Sequence, residues 1–141
     1  MTQHPIHGTW RLLSMESRTA DGQVTYPYGH EATGFLTYAD RSRMSIDIAS
    51  SGRAPFDGGD LRGGTEAERA AAAATFLSYC GTFSVVPGRV IHHIEVCLFP
   101  NWVGVDQERS YKVEANRLSL SSGFFLFGGE MRSSHVTWER V

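Results

Sequence analysis

Four polar side chains within residues 89–113 combine the types and the spacing expected of a buried binding or catalytic site. His92 can accept or release a proton, Arg109 can neutralise an anionic oxygen, and Gln107 can both donate and accept hydrogen bonds. Tyr111 adds a hydroxyl group on the same strand face as Arg109. Polar groups of this kind need protein partners or a ligand once they are buried, so the stretch predicts a functional site.

The two halves of this stretch alternate between apolar and polar residues, which predicts two β-strands with one buried face each. His92 then lies on the inner face of the first strand, and Gln107 and Arg109 lie on the inner face of the second. The simplest antiparallel register sets His92 opposite Arg109. A register slip of one residue would turn His93 inward instead of His92, so both alternatives stay open here.

Two of these residues are candidate catalytic groups. His92 is a candidate general acid or base, although a neutral core histidine bonded to Tyr79 or to the backbone would have the same sequence pattern. Arg109 needs a carboxylate partner if it is buried, and Glu16 on the first predicted strand is one candidate. A carboxylate, enolate or phenolate oxygen of a ligand is the other candidate partner of Arg109.

The remaining candidates are residues that would bind a ligand rather than react with it. The tyrosines among them can equally be core aromatic residues, and Trp102 can either stack on a planar ligand or close one end of the fold. The candidate ligand-binding residues are Gln107, Tyr111, Tyr79, Tyr38, Asn101 and Trp102. We predict that His92, Gln107 and Arg109 face one shared cavity, with Tyr111 deeper along the same strand.

The sequence offers no positive support for a metal or an organic cofactor. The adjacent His92 and His93 point to opposite faces of a strand and cannot both ligate one ion. There is no Cys-x-x-Cys pair, no glycine-rich phosphate-binding motif and no Gly-x-Ser-x-Gly turn. We therefore expect neither a metal site nor a bound cofactor.

Length and composition narrow the class of protein further. The chain has 141 residues, which predicts one domain over residues 1–141, and its formal net charge is −2. Without an excess of Lys and Arg, neither nucleic acid nor a membrane surface is an expected partner. The first residues lack the pattern of a signal peptide, so we expect a cytoplasmic protein.

The two cysteines are expected to remain free thiols, as is usual in the cytoplasm. Pro87 and Gly88 have the types required at the centre of a type II turn between two strands. Pairing across that turn would place Cys80 opposite Glu95. Cys97 would then lie diagonal to Cys80 on the outer face, which is too far for an unstrained disulfide.

The rest of the chain predicts short strands and a single helix. Thr65 and Glu68 form a capping box before a run of alanines, which predicts a helix over residues 66–77 that Phe76 and Leu77 anchor to the sheet. Residues 50–64 contain five glycines and are expected to form a mobile loop. Strands are predicted over residues 9–17, 34–38, 44–49, 78–86, 89–97, 105–113, 117–122 and 132–140. About eight short antiparallel strands with hairpin-length links are typical of a closed barrel or a sandwich.

Several motifs resemble those of lipocalin-like domain proteins, a bacterial and fungal group within the calycins. They are GTWRL at 8–12, YPYG at 26–29, GFLTY at 34–38, RMS at 43–45, HHIE at 92–95, PNWVGVDQERSY at 100–111, RLSLS at 117–121 and TWERV at 137–141. The resemblance covers nearly the whole chain and implies an antiparallel up-and-down β-barrel of about eight strands with one short helix. It also implies structural roles for Trp10, Trp138 and Arg140, with Arg140 packed over Trp10.

The same resemblance implies two kinds of function, because this fold hosts carriers and a few cofactor-free enzymes. The first hypothesis is a small-molecule binding barrel for a planar aromatic or polyketide-like ligand, with the loop at 50–64 and the helix over its mouth. The alternative is a cofactor-free isomerase, cyclase or dehydratase of secondary metabolism. In it His92 is the acid or base, and Arg109 with Gln107 stabilises an oxyanion. A third interpretation is an interaction module with a filled barrel, which would suit a homodimer.

Overall fold

The computed structural model of the protein describes residues 4–141, in which eight antiparallel strands close into a barrel. Neighbouring barrel strands follow one another along the chain, and the first pairs with the last, which is the up-and-down arrangement expected from the sequence. The barrel strands are β1 (Gly8–Thr19), β3 (Thr33–Tyr38), β4 (Arg43–Ala49), β5 (Phe76–Val86), β6 (Arg89–Cys97), β7 (Asp106–Glu114), β8 (Arg117–Ser121) and β10 (Glu130–Arg140). Two short strands, β2 (Val24–Thr25) and β9 (Phe125–Phe127), pair with β1 and β10 at the rim, and one helix, α1 (Glu66–Ala74), precedes β5 in the described chain.

The two ends of the barrel differ because successive strands alternate in direction. The connections at 50–75, 98–105 and 122–129 emerge together, and we call this the loop end. The tight turns at 87–88 and 115–116 lie at the opposite end, which we call the plugged end. Ile6, just before β1, is fully buried at the plugged end.

Trp10 and Arg140 close the plugged end, as the sequence predicted. Trp10 is fully buried, and the Arg140 guanidinium carbon lies 4.1 Å from the centroid of its ring, a cation–π contact. The same guanidinium donates hydrogen bonds to the backbone oxygens of His7 and Pro5, both at 2.7 Å. These hydrogen bonds hold β10, the last barrel strand, against the segment that precedes β1, the first barrel strand.

The helix is shorter than predicted. The capping box at its start is present, since Thr65 Oγ1 accepts from the Glu68 amide at 3.0 Å and Glu68 Oε1 accepts from the Thr65 amide at 2.9 Å. Its end was wrongly predicted, because Phe76 and Leu77 are the first residues of β5 and pair with β4. No residue of α1 is buried. Phe76 and Leu77 therefore adopt a strand conformation through pairing with β4 and do not extend the helix.

A β-bulge in β6 changes which side chains face inward. Cys80 pairs with Val96 and Gly81 pairs with Ile94, so Glu95 is an extra residue. A Cβ atom at Gly81 would lie 1.9 Å from a carbonyl oxygen of β6, so glycine permits the close approach at the bulge. Val96, expected inside, is 64% exposed, and Cys97, expected outside, packs against the core. Both thiols are free.

A second bulge, in β1, excludes one of the candidate partners of Arg109. The pairing with β10 shifts between Leu12 and Ser14, so Met15 is buried in place of Ser14. Glu16 therefore lies on the outer face, where its carboxylate accepts hydrogen bonds from Arg18. Glu16, one of the two candidate partners of Arg109, is therefore not inside the barrel.

The register between β6 and β7 differs by two residues from the simplest prediction. Gln107, and not Arg109, lies opposite His92. The difference arises in the connection between the strands, where the Gly104 amide donates to the Ile94 oxygen at 2.8 Å. The pairing of the two strands therefore begins at Ile94. A shift of two residues preserves the strand faces, so His92 and Arg109 still point inward.

No helix in the described residues 4–141 is long and apolar enough to cross a membrane. The expected single domain over 1–141 includes residues 1–3, which lie outside the described part, and it stays a prediction.

Candidate functional site

A buried histidine between two tyrosines occupies the barrel interior. His92 on β6 is 1% exposed, and its two ring nitrogens are both hydrogen-bonded. The Tyr38 hydroxyl on β3 lies 2.6 Å from Nε2, and the Tyr79 hydroxyl on β5 lies 2.7 Å from Nδ1. All three residues occupy inward positions of their strands, which is how the alternation brings them together.

Burial keeps these three groups uncharged. Burial first, and then the interactions with Arg109 and His93, lower the pKa of His92 to about 3. Burial raises the pKa of Tyr79 to about 12 although Arg109 opposes the shift, and it raises the pKa of Tyr38 well above its ordinary value. Near neutral pH the network therefore consists of a neutral imidazole and two neutral phenols.

The barrel encloses a cavity of about 50 Å³ next to this network. His92, Tyr79 and Arg109 all contribute to its wall, so the structure brings together both candidate catalytic residues and one candidate ligand-binding tyrosine. The rest of the wall is mostly apolar and consists of Met15, Ile46, Ile48, Leu77, Trp102, Leu120, Phe125, Phe127, Ser134, Val136 and Trp138. Tyr38 contacts the cavity only through His92, because it is not part of the wall itself.

Arg109 is half-buried and is held without a carboxylate. Its guanidinium donates to Gln107 Oε1 at 3.3 Å and to the backbone oxygen of Glu108 at 2.9 Å. Gln107 does not line the cavity, so its observed contribution is to hold Arg109 in place. Among the ion pairs of the described residues, none includes Arg109, and its positive charge faces the cavity uncompensated.

Two other candidates lie away from the cavity. The half-buried Tyr111 is deeper along β7, as expected, but its hydroxyl bonds to His4 Nε2 at 3.1 Å near the plugged end. Asn101 is exposed in the 3₁₀ turn Pro100–Trp102 and does not contribute to the cavity wall. Gln107, which we expected to share the cavity with His92 and Arg109, does not line it either, so that part of the prediction was wrong.

Aromatic side chains cover the cavity at the loop end, and we call Trp102, Phe125 and Phe127 the aromatic cap. The Trp102 ring lies 6.1 Å from both the Tyr79 and the Phe125 rings, and Phe125 lies 5.7 Å from Phe127. Sequence analysis included Trp102 but missed the two phenylalanines, because residues 123–131 predicted no definite element. The alternation Phe-Leu-Phe at 125–127 was the available signal for a strand with two inward rings.

The loop at 50–64 does not form the cover that the sequence suggested. Together with α1 it encloses a separate, open groove of about 1050 Å³ on the protein surface. The wall of that groove comes from residues 51–61 and 67–75, and it shares no residue with the barrel cavity. Arg53 holds the loop against the helix by donating to Thr75 Oγ1 and to the Ala72 oxygen, both at 3.0 Å.

A second histidine network lies on the outer face of the same strands. His93 Nδ1 donates to Asp106 Oδ1 at 2.7 Å, and His93 Nε2 lies 2.8 Å from the Ser84 hydroxyl. The order of partners is that of a Ser-His-Asp triad, but Ser84 and Asp106 are exposed. No group of three or more His, Cys, Asp or Glu in residues 4–141 is placed to hold a metal ion.

The geometry can be compared with known proteins at this point. The family model described as a lipocalin-like domain matches residues 7–141. The chain belongs to the lipocalin-like domain family. It is 31% identical over 107 residues to a protein of Aspergillus oryzae named 4'-hydroxy-3'-methoxypropiophenone carrier protein, covering 70% of this lipocalin-like chain and 96% of the relative.

Solved structures resemble the lipocalin-like barrel more distantly. A protein described as the REP1-NXSQ fatty acid transporter is 14% identical with a TM-score of 0.43, and the match covers 96% of each chain. The fluorescent protein UnaG is 13% identical with a TM-score of 0.39, again over 96% of each chain. The barrel assignment rests on this chain's own strand order.

Proposed function

We propose that this protein is a carrier that holds a small, planar aromatic or polyketide-like molecule inside its barrel. The observation that carries the proposal is the uncompensated guanidinium of Arg109 beside Tyr79 and His92 in the wall of an otherwise apolar cavity. Such a cavity combines apolar surface for a flat ring with a few polar groups that orient it. The relative whose name makes it a carrier of an aryl ketone supports the same assignment.

The cavity has to enlarge before it can hold such a ligand. Its volume of about 50 Å³ suits one or two water molecules, whereas pockets for small organic ligands measure about 300–1,000 Å³. The aromatic cap is the part of the wall most easily displaced, because β9 pairs with β10 alone and through three residue pairs. On the same segment, Phe124 and Leu126 are 54% and 71% exposed. Outward movement of Trp102 and Phe125 would widen the cavity towards the solvent.

The state of His92 favours binding over catalysis. A general acid or base works best with a pKa near the operating pH and with a nitrogen free to meet the substrate. His92 has a pKa of about 3, and tyrosine hydroxyls occupy both of its nitrogens. The isomerase, cyclase or dehydratase hypothesis would require this network to open during turnover, whereas a carrier can use it as it stands.

Titration with 4'-hydroxy-3'-methoxypropiophenone tests the proposal. We expect saturable quenching of tryptophan fluorescence, because Trp102 and Trp138 line the cavity. We also expect stabilisation against heat, which by mass action reaches about 2.7 kcal/mol when the free ligand is at 100 times its Kd. Wild-type protein that shows neither response to this compound or to related aryl ketones would contradict the carrier proposal.

Matched arginine variants locate the binding. Arg109→Leu removes the cavity cation and should weaken binding at least about ten-fold, the effect of losing one charge-assisted hydrogen bond. Arg89→Leu removes an exposed arginine of the neighbouring strand, which pairs with Glu108 on the outer face, and should leave binding unchanged. Equal losses in the two variants would place the ligand outside the barrel.

The cytoplasmic location and the homodimer stay predictions of the sequence. The barrel cavity is built within one chain, so carrier function requires no second copy. Size-exclusion chromatography with light scattering, with and without ligand, tests the homodimer, and cell fractionation tests the location.

A further inference from the structure

A count of protons in the buried network determines which hydroxyl is available to a ligand. Neutral His92 carries one N–H group and one acceptor nitrogen, yet both nitrogens contact a tyrosine hydroxyl. One tyrosine must therefore donate to the imidazole, and the other must accept from it. The tyrosine that accepts keeps its own hydroxyl proton for another partner.

The surroundings of the two hydroxyls decide between them. Tyr38 is 1% exposed, packs edge-on against Phe83 with centroids 4.8 Å apart, and does not line the cavity. Its hydroxyl has His92 Nε2 as its partner, so Tyr38 must donate there to avoid a buried unpaired proton. His92 then carries its proton on Nδ1 and donates to Tyr79, which leaves the Tyr79 proton directed at the cavity that Tyr79 lines.

The other polar groups of the cavity wall are also donors. Arg109 has donors alone, and the fully buried Trp138 has an indole N–H with no hydrogen-bond partner. The Ser134 hydroxyl donates to Ser122 Oγ at 3.1 Å. No carboxylate is part of the cavity wall, so donors there outnumber the acceptors that could satisfy them.

We propose that the cavity selects its ligand through an unprotonated oxygen, an aryl ketone or a phenolate, which accepts hydrogen bonds from Tyr79 and Arg109 while His92 is held as the Nδ1–H tautomer. This inference rests on the proposed carrier function and adds the chemistry by which the ligand is chosen. His92 acts here as a positioning residue, since it orients the Tyr79 hydroxyl without touching the ligand oxygen.

A series of four probes of similar size tests the selection. Propiophenone has a carbonyl oxygen, 4-propylphenol has a hydroxyl, 4'-hydroxypropiophenone has both, and propylbenzene has neither. We expect propiophenone to bind at least about ten-fold more tightly than propylbenzene, and 4-propylphenol to gain affinity as pH rises and it ionises. Affinity of 4-propylphenol that is independent of pH would restrict the site to ketones.

Tyrosine variants assign the effect to one hydroxyl. Tyr79→Phe should bring propiophenone and propylbenzene to within about three-fold of each other. Tyr111→Phe removes a tyrosine hydroxyl that is half-buried and does not line the cavity, and it should preserve the preference. Circular dichroism confirms that each variant is folded before its affinities are compared.

Nuclear magnetic resonance of the unmodified protein provides a readout that does not depend on any variant. The ¹⁵N chemical shifts of the His92 ring should identify the Nδ1–H tautomer with propiophenone bound. An Nε2–H tautomer, or propylbenzene binding as tightly as propiophenone, would overturn this inference and leave the carrier function intact. Failure of all four probes to bind would overturn both.

Discussion

His92 and His93 are neighbours in the sequence but belong to two different chemical environments. His92 points into the barrel, is 1% exposed, and bonds to two neutral hydroxyls. The His93 side chain is 35% exposed on the outer face and bonds to a hydroxyl and to a carboxylate. The pleat of one strand separates a buried network from an exposed one in which water can replace every bond.

The comparison shows that two hydrogen bonds to a histidine contribute differently to the free energy of unfolding on the two faces of the strand. Outside, removal of a partner exposes the remaining group to solvent, which costs little. Inside, removal of a partner leaves a buried polar atom unsatisfied, which costs about 1–3 kcal/mol. The inner network therefore contributes to stability and, in the proposed carrier, to ligand choice, while the outer network is an exposed set of replaceable bonds.

The largest expected effect comes from one substitution made at both positions. His92→Ala leaves a cavity and two buried tyrosine hydroxyls without their partner, so we expect a loss of about 3–5 kcal/mol in unfolding free energy. His93→Ala should change it by at most about 0.5 kcal/mol, as is usual for exposed residues. Urea denaturation of the two variants measures both, and similar losses would mean that the interior is not closed to water.

The pH dependence of stability provides a second, somewhat smaller contrast. The folded-state pKa of His92 is about 3, below the unfolded value of about 6.5, so its contribution is fully present above pH 6.5 and is lost as pH falls towards 3. The slope from this group is at most about 1.4 kcal/mol per pH unit.

His92→Gln should flatten that part of the pH profile, and His93→Gln should preserve it because His92 is unchanged. Burial also lowers the pKa of His135, so a weaker slope of the same sign will remain in the His92 variant. Unfolding free energies measured between pH 4 and pH 7 provide the comparison, and identical slopes in the two variants would contradict the neutral, buried imidazole.

A smaller contrast comes from removing one hydroxyl partner of each histidine. Tyr38→Phe leaves His92 Nε2 without a partner inside the barrel and should cost about 1–3 kcal/mol. Ser84→Ala removes the corresponding partner of His93, and water can take its place, so the change should stay within about 0.5 kcal/mol. Thermal denaturation of both variants tests the difference. Equally small losses in the two variants would show that solvent reaches His92 Nε2.

The smallest expected effect is that of the outer carboxylate. Asp106→Asn keeps an oxygen that can accept from His93 Nδ1 but removes the charge, and we expect a change of about 0.5 kcal/mol or less. Raising the salt concentration should reduce even this difference, because exposed charges are screened. A loss of 2 kcal/mol or more would show that the outer network is structural and that the contrast with His92 is overstated.

Alternation predicted the strands and their inward faces because it depends on local residue types, and the resemblance to lipocalin-like proteins implied the closed barrel. His92 and Arg109 share a cavity wall as expected, and the two-residue error in register left their faces unchanged. Prediction failed where an extra residue interrupts the alternation, as at Glu95, which exposed Val96 and turned Cys97 inward. The alternation of residue types within one strand cannot reveal a bulge that depends on the neighbouring strand.

The aromatic cap and the partners of Arg109 were harder to predict for a related reason. Phe125 and Phe127 occupy a three-residue strand, too short for a periodic pattern to be distinguished from a loop. Arg109 is held by Gln107 and a backbone oxygen, and a backbone partner has no signature in the sequence. Both features depend on tertiary contacts rather than on the local sequence.

The pairing of β1 with β10 has a consequence for the protein during its synthesis. Of the barrel strands, β1 is synthesised first and can pair with β3 soon afterwards, but its other edge has no partner until β10, the last of them, has been synthesised. Until then the nascent barrel is an open sheet with an unpaired edge and an uncovered apolar face, which is the arrangement most prone to associate with other chains. The contact between Arg140 and Trp10 can form only after β10 has paired with β1. It therefore marks the point at which the barrel is closed and association through the open edge is no longer favoured.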